Sequence, residues 1–147
     1  MLEDFLEYNK LKSKIIKFPN VITIGKLANA KKIPPTRGVK LRLFNTKKNA
    51  PFICVTPFKS NLNLDKVSAL VNNVEFIEMD ELENVLSCGY KKGMIPLLSI
   101  YGIKLIIHTS LQKKESLVCQ VSDKSVLDTL MTELLGTNDD LVFEDIV

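Results

Sequence analysis

Apolar and polar positions alternate most clearly between Gly38 and Asn45, where Val39, Leu41 and Leu43 interleave with Lys40, Arg42 and Phe44. That period of two predicts a strand. Lys47-Lys48-Asn49-Ala50 supplies a turn, and Pro51 to Pro57 carries the paired strand, so the two form a hairpin. On the N-terminal side, Met1 to about Lys12 has apolar residues at 2, 5, 6 and 11 with acids in its first turn, a short helix. Ser13 to Phe18 follows as a strand, and Thr23 to Lys32 as a helix stopped before Pro34-Pro35. Beyond the hairpin, Asn63 caps a helix from Leu64 to Val71, and Val74 to Met79 is a strand. Asp80 caps a helix through Leu86, with Glu81 and Glu83 in its favourable first turn. Cys88 to Ser99 reads as a loop, and Ile103 to His108 and Ser116 to Val121 as strands. Ser122 is placed as the cap of a last helix with apolar residues at 126, 127, 130, 131, 134 and 135. The sum is an α+β fold: a single domain over residues 1–147 with a mixed or barrel-like sheet surrounded by helices. Its acidic tail, 136–147, packs through Leu141, Val142 and Phe143 or frays.

Charge sharpens this picture. The 147 residues carry a net charge of only +3, but no Asp or Glu occurs from Tyr8 through Leu64, where 13 Lys or Arg stand. Residues 1–50 sum to +9 and residues 51–147 to −6. Such a bipolar chain suits a polyanionic partner for its basic half, against the plainer alternative of a solvated lysine-rich surface.

Composition removes several classes of function. No run approaches the roughly 20 apolar residues of a membrane span. The acidic start, Met1-Leu2-Glu3-Asp4, has no apolar segment of a secretory signal. Cys54, Cys88 and Cys119 form no CxxC pair, so they read as reduced core thiols of a cytoplasmic protein. A single histidine, His108, excludes multi-histidine metal sites, and no metal or cofactor is expected. No phosphate-binding or dinucleotide-binding glycine motif occurs.

Several strings, in order, resemble one family. Leu6-Glu7-Tyr8-Asn9-Lys10-Leu11 opens the series, followed by Gly38-Val39-Lys40-Leu41-Arg42-Leu43. Val55-Thr56-Pro57 and Leu62-Asn63-Leu64-Asp65-Lys66-Val67-Ser68 come next, then Cys88-Gly89-Tyr90-Lys91-Lys92-Gly93-Met94-Ile95-Pro96-Leu97. From about Leu6 to Leu135 the chain is similar to the YbaK/ProRS-associated editing domains, which hydrolyse mischarged aminoacyl-tRNAs. The resemblance implies a pocket lysine, mapped to Lys40, and a Gly/Pro loop, mapped to Gly93, Met94, Ile95 and Pro96, that holds the 3′-terminal adenosine and aminoacyl group. It also implies substrate-assisted catalysis, with aminoacylated tRNA as the partner. Arg42, Lys47, Lys48, Lys91 and Lys92 are candidate phosphate contacts. Tyr90, Phe58 and Tyr101 are candidates for stacking on an unpaired base, though such residues more often serve plain packing.

The departures are specific. The family's GxxxP spacing is one residue shorter here, Leu98 stands where a glycine is usual, and Gln120 to Ser125 contains no glycine. His108 stands where the family strand usually ends in Asp; it is either a substrate-binding or near-neutral acid/base group, or a hydrogen-bonded structural histidine. Three functions therefore stand at this point: a trans-editing deacylase, an RNA-binding module of the same fold with a degraded pocket, and an adaptor for an acidic protein.

Overall fold

The structure is a computed structural model that describes residues 2–48, 50–79, 93–100 and 102–147. Its chain order is α1 (Leu2–Tyr8), β1 (Lys14–Lys17), α2 (Ile24–Asn29), β2 (Val39–Thr46), β3 (Phe52–Pro57), α3 (Leu64–Leu70), β4 (Phe76–Glu78) and β5 (Lys104–His108). A 3₁₀ turn at Thr109–Leu111 leads to β6 (Ser116–Ser122), β7 (Ser125–Leu130), α4 (Met131–Thr137) and β8 (Leu141–Glu144). The helix expected from Asp80 through Leu86 lies outside the described residues.

The expected hairpin is present, β2 pairing antiparallel with β3 in the register Lys40–Thr56, Arg42–Cys54 and Phe44–Phe52. It forms the middle of a five-stranded mixed sheet ordered β4-β2-β3-β5-β8, in which β5 runs parallel to β3 and β8 parallel to β5. A second, antiparallel sheet is ordered β1-β7-β6. Among the described residues the strands divide into these two sheets and do not close into a barrel. The mixed sheet with surrounding helices is as expected.

The main core lies between the sheets. Val39, Leu41, Leu43, Ile53, Val55, Leu105 and Ile107 from the larger sheet meet Leu117, Cys119 and Leu127 from the smaller one. Each such fully buried aliphatic side chain contributes about 1.5–3 kcal/mol. The outer face of the larger sheet carries Phe44, Phe52, Cys54 and Ile106, closed by Val67 of α3 and by Ile146. There the Phe44, Phe52 and Phe76 rings sit 5.3 to 5.7 Å apart. The outer face of the smaller sheet packs Val118 and Val126 against Ile24, Leu27 and Ala28 of α2. Each sheet therefore has a helix on its outer face.

Two helix starts follow from the sequence. Thr23 caps α2 by accepting from the Lys26 amide, and Asn63 caps α3 by accepting from the Asp65 and Lys66 amides. The last helix differs from expectation. Ser125 to Leu130 is a strand, and helix begins only at Met131. Val126 and Leu127, read as neighbours on one helical face, instead enter separate cores on the two faces of β7. A strand buried on both faces loses its alternation and imitates a helical period. The acidic tail forms β8 and buries Ile146 completely.

Candidate functional site

The start of β2 is wedged between the two sheets. Gly38 bridges to Val118 of the smaller sheet, and its carbonyl accepts from the Phe58 amide. A Cβ at Gly38 would lie 2.9 Å from Ile24 Cγ2 and 3.1 Å from Phe58 Cδ1, so only glycine fits without displacement. Phe58, one of the stacking candidates, is thereby seated half-buried beside the strand, with the Lys59 ammonium 5.6 Å from its ring centre.

Two residues beyond Gly38 comes Lys40, half-buried. It stands on the face of β2 opposite Val39 and Leu41, as alternation requires, and in register with Thr56 of β3. Thr56 is only 2 % exposed. Lys40 makes no ion pair and the Thr56 hydroxyl no hydrogen bond among the described residues. One strand further, His108 ends β5; its Nδ1 accepts from the Ile146 amide at 3.3 Å and lies 3.7 Å from Asp145 Oδ1. The Lys66 ammonium donates to Asp145 Oδ2 at 2.7 Å, which holds the Asp145 carboxyl below its usual range. Glu144 is in register with His108.

The Gly93 loop is anchored elsewhere. Gly93 is exposed with φ +76°, and nothing lies within 4 Å of the position its Cβ would take. Met94 is half-buried, Pro96 is buried, and Ile95, Leu97 and Leu98 are 2 % exposed or less. The three apolar residues belong to the core between the sheets, the side of β2 that carries Val39, Leu41 and Leu43, and not the side that carries Lys40. Clefts of about 260 Å³, lined by Phe52, Val71, Asn72 and Lys104 among others, and of about 130 Å³, lined by Ile103 and Thr137 to Asp140, lie near the opposite end of the sheet. Neither is lined by Lys40 or Gly93.

Of the candidate phosphate contacts, Arg42 is bound to Glu78 through two bonds of 2.8 and 2.9 Å and covers the Phe44 ring. The Glu78 hydrogen bonds raise its pKa above the ordinary guanidinium value, outweighing partial burial. Lys47 pairs with Glu75 at 2.7 Å on the open surface, and Lys48 is exposed in the hairpin turn. Lys91, Lys92, Tyr90, Tyr101 and Cys88 lie outside the described residues. Cys54 and Cys119 are free and buried, and desolvation pushes both thiols up to about 12, as suits inert core residues. No cluster of three or more metal-ligating side chains occurs among the described residues. Nor is any described helix long and apolar enough to cross a membrane.

Sequence reasoning missed Gly38, Thr56 and Glu144. The register counted from the Lys47–Ala50 turn would set Pro57 opposite Lys40, one residue off the observed Thr56, so the sequence held no sure signal for Thr56. None existed for Glu144, because its strand joins the sheet in parallel from a segment distant in sequence.

The profile of the aminoacyl-tRNA editing domain matches residues 19–134. The chain belongs to that family. No curated protein matches it. Among solved structures, a candidate trans-editing enzyme for prolyl-tRNA synthetase superimposes with a TM-score of 0.81 at 16 % identity, covering 99 % of this chain and 93 % of the other. The hypothetical protein APE2540 superimposes with a TM-score of 0.80, also at 16 % identity, covering 99 % and 97 %. At such identities these likenesses show the shared fold, and the editing-domain assignment rests on the profile.

Proposed function

We propose that this editing domain is a deacylase that hydrolyses the ester of a mischarged tRNA, acting in trans, with Lys40 as its catalytic residue. The observation that carries this reading is a half-buried ammonium, without a counter-charge among the described residues, on a central strand of an editing domain. An ammonium so placed stabilises negative charge developing on the ester carbonyl, the kind of contact worth about 10²–10³-fold in rate. The Gly93 loop, whose apolar residues pack on the other side of β2, is left out of this site. The lysine-rich N-terminal half supplies the docking charge for an acceptor stem. Binding alone separates neighbouring apolar side chains by only about 1–3 kcal/mol, so discrimination between them rests on steric exclusion of the larger ones.

The test is deacylation of a panel of alanyl-, cysteinyl-, prolyl- and seryl-tRNAs by the wild type and by Lys40→Ala. Turnover of at least one tRNA, lost in Lys40→Ala, supports the reading. Equal activity of the variant removes Lys40 from the mechanism, and no turnover of any tRNA removes the deacylase.

One observation favours the second reading, an RNA-binding module. Leu98, standing where the family usually has glycine, is fully buried in the core, so this part of the loop is committed to packing. Binding without hydrolysis, weakened steeply by salt, would distinguish that module.

A further inference from the structure

Thr56 stands out in its strand. The four residues before it, Phe52 to Val55, are all apolar, and Thr56 is as buried as they are. Its hydroxyl makes no hydrogen bond among the described residues, yet it is not one of their fully buried unpartnered polar atoms, which are Asp128 Oδ1 and Thr129 Oγ1, so it keeps contact with the surface and is open to a partner from outside. The register shows what Thr56 lies among. Lys40 is directly opposite on β2; the pairing of Val55 with Ile107 puts His108 beside Thr56 on the other side; and Glu144 is opposite His108. Thr56, His108 and Glu144 each follow by two residues a member of the outer-face cluster or its periphery, Cys54, Ile106 and Val142, so all share the face of Lys40.

The four side chains make a row across neighbouring strands, about 14 Å long at ordinary strand spacing. The row is polarised. Lys40 carries three N–H donors and the Thr56 hydroxyl one. The Nδ1 of His108 is occupied as an acceptor from Ile146, so a neutral ring carries its hydrogen on Nε2. None of these three donors has an acceptor among the described residues. Glu144 closes the row with a carboxylate that likewise has no described partner. The nearby Asp145 pairs with Lys66, whereas Lys40 and Glu144 have no ion pair among the described residues.

We infer that Lys40, Thr56, His108 and Glu144 form one binding row that takes an aminoacylated 3′-terminal nucleotide lengthwise, its phosphate and ester oxygens on the donors and its α-ammonium on Glu144. This rests on the editing reading above and adds to it a direction of binding and a role for the threonine. Phe58, beside Gly38 at the Lys40 end, then faces the nucleoside and not the amino acid.

Because the chain has one histidine, its ring C2 proton gives a single NMR signal that reports on the middle of the row. The probes are adenosine 5′-monophosphate bearing alanine through a 3′-amide, which cannot be hydrolysed, and the same molecule with its alanine amino group acetylated. The first probe is expected to move the His108 signal. Thr56→Val weakens it about tenfold, the value of one charge-assisted hydrogen bond, while Thr56→Ser retains binding. Glu144→Gln lowers the affinity for the first probe to that for the acetylated one and leaves the latter unchanged. Thermal melts check that the variants are folded.

The row is overturned if the first probe does not bind, if it binds without moving the His108 signal, if folded Thr56→Val binds as wild type does, or if Glu144→Gln weakens both probes equally. No turnover is read in this experiment. A protein that binds as described but deacylates nothing keeps the row and loses the deacylase; one that needs Lys40 for turnover but ignores Thr56 and Glu144 keeps the deacylase and loses the row.

Discussion

Lys40 and Arg42 stand two residues apart on one face of one strand, both half-buried, in opposite circumstances. Arg42 has a two-bond pairing with Glu78 on the neighbouring β4 and the Phe44 ring beneath it. Lys40 faces Thr56 and has no counter-charge among the described residues. The difference follows from strand lengths. Among the described residues, β4 pairs with Phe44, Asn45 and Thr46 of β2 and the Met79 amide donates to the Leu43 carbonyl, so its carboxylate reaches Arg42 and not Lys40. A charge compensated within the fold is structural; a charge left uncompensated at a sheet end is available to a ligand.

Four experiments break or sharpen that contrast. Lys40→Met keeps the aliphatic stem and is expected to lower kcat/KM for deacylation about 100-fold or more with little change in thermal stability. A melting temperature that falls as it does for Arg42 variants would make Lys40 structural too. Removing Glu78 strands the Arg42 guanidinium and is expected to cost about 1–2 kcal/mol in denaturant unfolding, discounted from fully buried pairs because both side chains keep some contact with water. A double-mutant cycle with Arg42→Met should recover most of that as coupling energy; a coupling near zero would leave the two cations alike.

Glu133 is the anionic counterpart of Arg42. Although burial opposes it, hydrogen bonds from the Lys12 and Ser13 amides and the Ser13 hydroxyl, each 2.6 Å, hold its carboxyl below the usual range. A depressed folded pKa means stability present above the unfolded value of about 4.3 and lost as pH falls through the folded one. Glu133→Gln should therefore be less stable by about 1 kcal/mol at neutral pH, the gap narrowing on acidification. A gap independent of pH would assign the loss to packing. The smallest effect belongs to Lys47→Ala, below about 0.5 kcal/mol, because Lys47 and Glu75 are both 76 % exposed.

Local signals carried much of the fold. The β2–β3 hairpin was legible because β2 alternates, β3 is a short apolar run and a polar turn separates them. Asn63 was legible as a cap because its side chain acts on amides two and three residues away. The resemblance located Lys40 and the Gly93 loop, but it did not disclose that the loop's apolar residues pack on the face of β2 away from Lys40. β7 was misread because Val126 and Leu127 serve two cores. Arg42 showed as one more basic residue, since its partner Glu78 lies 36 positions away.

By itself, then, the sequence determined the alternation of β2 and its hairpin with β3, the cap of α3, the family, and the segregation of charge into a basic and an acidic half. Those depend on neighbours a few residues apart or on order along the chain. The tertiary structure alone decided which cation is neutralised, that a buried threonine stands opposite Lys40, and that the acidic tail enters the sheet and places Glu144 beside His108. Each of those is a pairing between strands, and strand register depends on contacts distant in sequence.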